Sequence, residues 1–221
     1  MGFGLNLSSG GSKDFLPIVK YDARAGRMFR VDKDSGVSTP VDITRNFKAV
    51  FDLANVEIGW MAFAAGTAPD LRLVPLGADL PEKPSANHNK GVRFLVKLSK
   101  ENGGDVRELA GTSKAMLNSL EKLHDEYLAG LSDNPGKLPI VALIDTIAVE
   151  SGSGQYKNTN YTPIFEIVGW SARPNDLVAS PRGDSVAPAA PAARPAPPAT
   201  GSTRAAAPAP RVAVKDEEDF G

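Results

Sequence analysis

Residues 112–149 read TSKAMLNSLEKLHDEYLAGLSDNPGKLPIVALIDTIAV, and the change of period inside this stretch decides the fold class. Met116, Leu120, Leu123 and Tyr127 recur at spacings of four, three and four, with Leu117 and Leu128 widening the stripe. That period puts them on one face of a helix. Thr112 or Ser113 can supply the N-cap oxygen, and Gly130 and Pro135 end the helix. Leu138 to Val149 then reads as one long apolar strand.

Outward from there the chain is β. After the loop 150–160, Pro163 to Trp170 predicts the last strand. Upstream, Val92, Phe94, Val96 and Leu98 face one way while Arg93, Leu95 and Lys97 face the other. Val106 to Ala110 is the expected hairpin partner across Glu101-Asn102-Gly103-Gly104. Phe47, Ala49, Phe51 and Leu53 alternate with polar and smaller residues, and Val56 to Ala64 follows as a second strand. Leu71 to Leu76 is a short apolar piece, and Pro75, Pro81 and Pro84 punctuate a loop running to Lys90. Gly26 to Thr44 reads as a hairpin; its centre, Asp32 to Gly36, loosely matches a calcium loop, but the twelfth position is Ile43 rather than Glu. Six to eight strands and one helix, with two strands after the helix, predict a mainly β fold. The expected form is an OB-fold-like antiparallel β-barrel carrying one α-helix.

Composition bounds the chemistry. The 221 residues carry 25 Lys+Arg against 26 Asp+Glu, so net charge announces no particular partner. Without cysteine there are no disulfides, thiolate metal sites or cysteine nucleophiles. The two histidines, His88 and His124, argue against a multi-histidine metal centre, and no metal or cofactor is expected. The apolar runs are short of a bilayer span, and Met1 to Ser12 lacks a signal peptide's basic start and apolar core. The expected compartment is therefore the cytoplasm.

The organisation shifts near residue 172. From Ser171 on, 14 of 51 residues are Ala and 9 are Pro, so neither helix nor sheet can propagate. Little apolar area is available there to offset ordering entropy. The expected division is a flexible N-terminus (1–14), a barrel domain (15–170), a disordered linker (171–214) and an acidic tip (215–221). The tip is Lys215 followed by Asp216, Glu217, Glu218, Asp219 and Phe220, with Gly221 after them. Removing its four carboxylates leaves 25 bases against 22 acids, so negative charge is concentrated at the tip.

A β-rich body, an Ala/Pro-rich linker and a DEEDF tip resemble single-stranded DNA-binding proteins of the bacterial and bacteriophage type. Phe51 to Gly59 and Tyr161 to Trp170 are similar to segments of prophage-encoded proteins. The resemblance implies an OB-fold that binds single-stranded DNA in replication or recombination. It also implies recruitment of partner proteins through Asp216, Glu217, Glu218, Asp219 and Phe220, in the host cytoplasm if the chain is phage-encoded. A homo-oligomer is compatible with it.

Such a groove needs cations for phosphates and aromatic faces for bases. The phosphate candidates are Lys48, Arg93 and Lys97, on polar strand positions. The stacking candidates are Trp60 and Phe63, and Tyr156 and Tyr161 flanking Lys157 in the loop before the last strand. Trp60, Phe63 and Phe94 also suit a small β core, while Arg93 and Lys97 suit an ordinary solvated face. His124 reads as a structural histidine beside the helix stripe, Trp170 as a core-closing residue, and His88 as a loop residue without visible partners. Residues 1–170 hold 19 Lys+Arg and 20 Asp+Glu, so a basic groove must come from spatial segregation.

Two other classes compete. A protein–protein adaptor would show an exposed apolar patch. A metal-dependent nuclease would gather carboxylates, Asp145 among them. No G-x-S-x-G, P-loop, dinucleotide or H-E-x-x-H pattern occurs, and the Gly152-Ser153-Gly154-Gln155 run precedes a strand rather than a helix. A non-enzymatic binding protein is expected.

Overall fold

A computed structural model describes residues 16–64, 67–153 and 157–178. The expected flexible N-terminus, the linker from residue 179 on, the acidic tip and Tyr156 lie outside the described residues.

Ten strands and one long helix follow in order: β1 (Ile18–Asp22), β2 (Arg27–Asp34), β3 (Val37–Asp42), β4 (Lys48–Phe51), β5 (Glu57–Ala62), β6 (Asp70–Pro75), β7 (Asn89–Leu98), β8 (Val106–Gly111), α1 (Lys114–Gly130), β9 (Lys137–Ser151) and β10 (Asn158–Ala172). The chain is mainly β with one α-helix, as the periods predict.

One sheet contains all ten strands. Its path runs β10-β9-β4-β7-β8-β1-β2-β3, with β5 paired to the first half of β7 and to β6. The expected antiparallel barrel is corrected on two counts. The ladder is open, ending at β10 and β3, and the β1–β8 pairing is parallel. The reason is β1, a short strand that the sequence reading passed over. It takes the edge of β8, so β8 does not pair with β10. Single bonds span the gap: the Tyr161 amide donates to the Ala23 carbonyl (2.6 Å) and the Tyr21 hydroxyl to the Tyr161 carbonyl (3.0 Å).

Inward side chains of the sheet meet α1. Met116, Leu120, Leu123 and Tyr127 are buried against Phe47, Phe51, Phe94 and Phe165. The Phe51 ring lies 5.2 Å from Phe94 and 6.0 Å from both Phe47 and Phe165, spacings of favourable aromatic pairing. Ser113 occupies the N-cap with extended backbone, but its hydroxyl makes no capping bond; its carbonyl accepts the Leu117 N–H (2.9 Å). Gly130 belongs to the last turn rather than to a stop signal. A Cβ there would lie 2.5 Å from the Trp170 ring, which stacks on Tyr127 at 5.8 Å, so Trp170 does close the core.

The calcium-loop pattern is a tight hairpin: Asp34 pairs with Val37 across Ser35 and Gly36, both at positive φ. The body extends beyond Trp170. Arg173 forms a bidentate pair with buried Asp52 (2.7 Å to each oxygen), and Leu177 is fully buried. Of the residues assigned to the linker, 171–172 thus belong to β10, and Arg173 and Leu177 tie the next stretch to the body.

Candidate nucleic-acid interface

Strand β7 carries three of the cations that matter, and it distributes them along its length. At its end, Lys97 pairs with Asp176, and Val50 lies opposite it on β4, two residues beyond exposed Lys48. At its start, Lys90 is exposed. Seven residues at about 3.3 Å each separate Lys90 from Lys97 by about 23 Å. The cation candidates Lys48 and Lys97 thus lie towards the end of β7 opposite to Trp60, which pairs with Lys90.

Arg93, between them, is corrected as a phosphate contact. It is only 5% exposed, its Nε donates to Glu57 (2.6 Å), and the Glu108 carboxylate lies 3.6 Å from its guanidinium. Two acids already neutralise it, and withdrawing it from them would leave buried charges unpaired.

Trp60 is placed differently. It shares a face of β5 with Ile58, which packs on the core, but sits one row beyond the core. Opposite it stand Lys90 on β7 and Arg72 on β6. Its indole N–H donates to the Pro81 carbonyl (2.8 Å), tying the proline-punctuated loop to the sheet. The ammonium groups of Lys83 and Lys90 lie 5.6 and 5.9 Å from its ring, within cation–π range. Neither lysine enters an ion pair among the described residues, whereas Arg72 is held by Asp70 at 3.0 Å. Phe63, just after β5, is 56% exposed.

His88 does have partners. Its Nδ1 is 2.9 Å from the Ser85 hydroxyl and its Nε2 is 3.2 Å from an Asp70 oxygen. The buried ring links the loop to the Asp70–Arg72 pair. His124 rests 5.9 Å from the Tyr127 ring, as a structural histidine would.

On the β9–β10 hairpin, Lys157 is ion-paired with Glu150 (2.5 Å). Tyr161 is half-buried, with its ring against Gly26. Beside it lies a cleft that the sequence reading missed, lined by β1, the start of α1, and β10. Burial pushes the Tyr21 hydroxyl at its edge up to about 12, with Asp22 adding to the shift, so it stays a neutral donor.

Among the described residues no three His, Asp or Glu side chains converge on a possible metal position. Asp145, the nuclease candidate, accepts the Thr146 amide (2.7 Å) on an exposed stretch of β9. No described helix is long and apolar enough to cross a membrane. Comparison with family models, curated proteins and solved structures finds no match to this chain.

Proposed function

We propose that the protein is a non-enzymatic single-stranded DNA-binding module of OB-like design. It holds the strand at the open end of the sheet and recruits replication or recombination proteins through its acidic tip. The observation that carries this reading is Trp60, an indole one row outside the core between two ammonium groups that have no carboxylate partner among the described residues. An aromatic face with flanking cations is what a base and its neighbouring phosphates require. The strand order supports the OB-like design: three antiparallel strands (β5, β7, β8), then α1, then the β9–β10 hairpin, with β4 linking β7 to β9. In this reading Asp216 to Asp219 and Phe220 form the partner-binding element.

Intrinsic fluorescence tests it, because the chain has two tryptophans and the half-buried Trp170 has one ring face stacked on Tyr127. Titration with oligothymidine at low salt should quench the wild-type chain, and Trp60→Phe should abolish the quench. Anisotropy with labelled oligothymidine, on the full chain and on one ending at Lys215, should show salt-sensitive binding that tightens without the tip. No binding by either chain would overturn the reading.

A second reading has its own support. Ile144, Ile147 and Val149 are exposed along the outer half of β9, an apolar strip suited to a protein partner. An adaptor of this kind becomes the first choice if DNA binding is absent.

A further inference from the structure

We infer that the cleft between β1, the start of α1 and β10 binds backbone phosphates of the single strand, continuing the row Arg72–Trp60–Lys90 across the open end of the sheet. This rests on the single-strand reading and supplies phosphate contacts that the buried, doubly neutralised Arg93 does not.

Charge is the first argument. Lys20 and Arg24, from β1 and the turn after it, and Lys114, from the start of α1, line the cleft; all three are exposed, and none is ion-paired among the described residues. Lys20 lies 5.9 Å from the Phe29 ring, an additional contact that leaves its charge uncompensated. Asp22 is the one carboxylate in the lining, and an oxygen of it is occupied by the amides of Arg24 (2.9 Å) and Ala25 (3.2 Å). Three cations against one engaged acid leave a local excess of two positive charges in a body whose overall charge is near zero. Much of the remaining polar lining, Asn118, Asn160 and Thr162, can donate hydrogen bonds. A phosphodiester only accepts them.

Rigidity is the second. The cleft has a volume of about 740 Å³, in the range of ligand clefts. Its walls are fixed by the Tyr161–Ala23 and Tyr21–Tyr161 bonds. Cations on fixed walls lose less freedom on binding than cations on a loop.

Continuity is the third. In the β7–β8 register Val92 stands opposite Gly111. The ladder ends there, two residues from Lys90 along β7 and three from Lys114 along the chain leaving β8. From β6 through β5, β7 and β8 to β1 the sheet takes four steps of about 4.8 Å, or about 19 Å. The aromatic row and the cleft thus lie along one end of one sheet.

The test uses the full chain carrying Lys20→Gln, Arg24→Gln and Lys114→Gln together. A control with the same charge change carries Lys100→Gln, Lys122→Gln and Lys137→Gln, all exposed positions outside the cleft. Oligothymidine affinity is measured by anisotropy over a salt series. The cleft variant should bind roughly 10- to 100-fold more weakly at low salt, with the log–log salt slope reduced by about 2, at about 0.7 per phosphate contact. The control should keep the wild-type slope. An unchanged slope in the cleft variant, or an equal loss in the control, overturns the inference while leaving the Trp60 reading intact.

Inorganic tripolyphosphate separates the remaining cases. If wild-type protein binds no oligothymidine, the single-strand reading fails. Amide shifts on adding tripolyphosphate, confined to residues 20–24 and 112–118, then still establish an anion cleft; their absence removes the cleft as well. Tripolyphosphate binding there more tightly than the oligonucleotide makes a free polyphosphate the occupant and overturns the strand.

Discussion

The two halves of β7 obey the same alternation and end in opposite chemistry. In the second half, Phe94, Val96 and Leu98 point inward and are buried against α1 and the strands on either side. In the first half the same inward face carries Val92 and then Lys90, beside Trp60. The difference lies in what stands underneath. Met116, Leu120 and Leu123 of α1 pack in one core with Phe94, Val96 and Leu98, and Trp60 lies outside that core. A single strand thus supplies both a core and a polar, aromatic rim.

The sharpest way to break this contrast is Phe94→Ala. Losing a ring fully enclosed by Phe51 and its neighbours should cost about 3–5 kcal/mol, read as a lower urea midpoint with an unchanged slope. An effect below about 1 kcal/mol would mean the core half is not packed as described. Asp52→Ala comes next. It leaves Arg173 without its bidentate partner and should cost about 1.5–3 kcal/mol, releasing residues 173–178 to proteolysis. Resistance to cleavage there would show that Leu177 alone holds the segment.

Alkaline titration probes the gap between β1 and β10. Because Tyr21 has its hydroxyl raised to about 12, the unfolded chain releases its proton near 10 while the folded chain retains it. Stability is therefore full below pH 10 and falls as pH rises from 10 towards 12, by on the order of 2–3 kcal/mol. Tyr21→Phe should flatten that decline; an unchanged decline would assign it to other groups.

At the rim, Trp60→Ala should cost about 1–3 kcal/mol of oligothymidine affinity, with a smaller effect on folding than Phe94→Ala. Equal damage to folding would make Trp60 a core residue. Lys90→Ala is the smallest change: binding should weaken slightly and the salt slope should fall by about 0.7, with the urea midpoint unmoved.

The sequence made some of this legible and hid the rest for physical reasons. The α1 stripe and the strands around Phe51, Phe94 and Leu138 to Val149 follow from local period, which reports burial wherever one face is covered. β1 escaped because five residues, IVKYD, carry too few alternations, and its parallel partner on β8 is about 90 positions away. Arg93 misled because its polar position on β7 predicts solvent, whereas Glu57 and Glu108 arrive from two other strands to bury it. Trp60 was identified as a residue of two possible uses; which use applies depends on where the core ends. Lys20, Arg24 and Lys114 carried no signal, since the first two lie about 90 positions from the third, in segments with unremarkable surroundings.

The amino-acid sequence by itself determined the fold class, one helix among many strands, because hydrophobic period is a local property of the chain. It also determined the composition of the region after Trp170 and the acidic tip, where the Pro and Ala content leaves little area to bury. Tertiary structure alone decided that the sheet stays open and that Arg93 is neutralised. It also brought Lys114 beside Lys20 and Arg24 around one cleft, because pairing partners and local charge depend on contacts between residues remote in sequence.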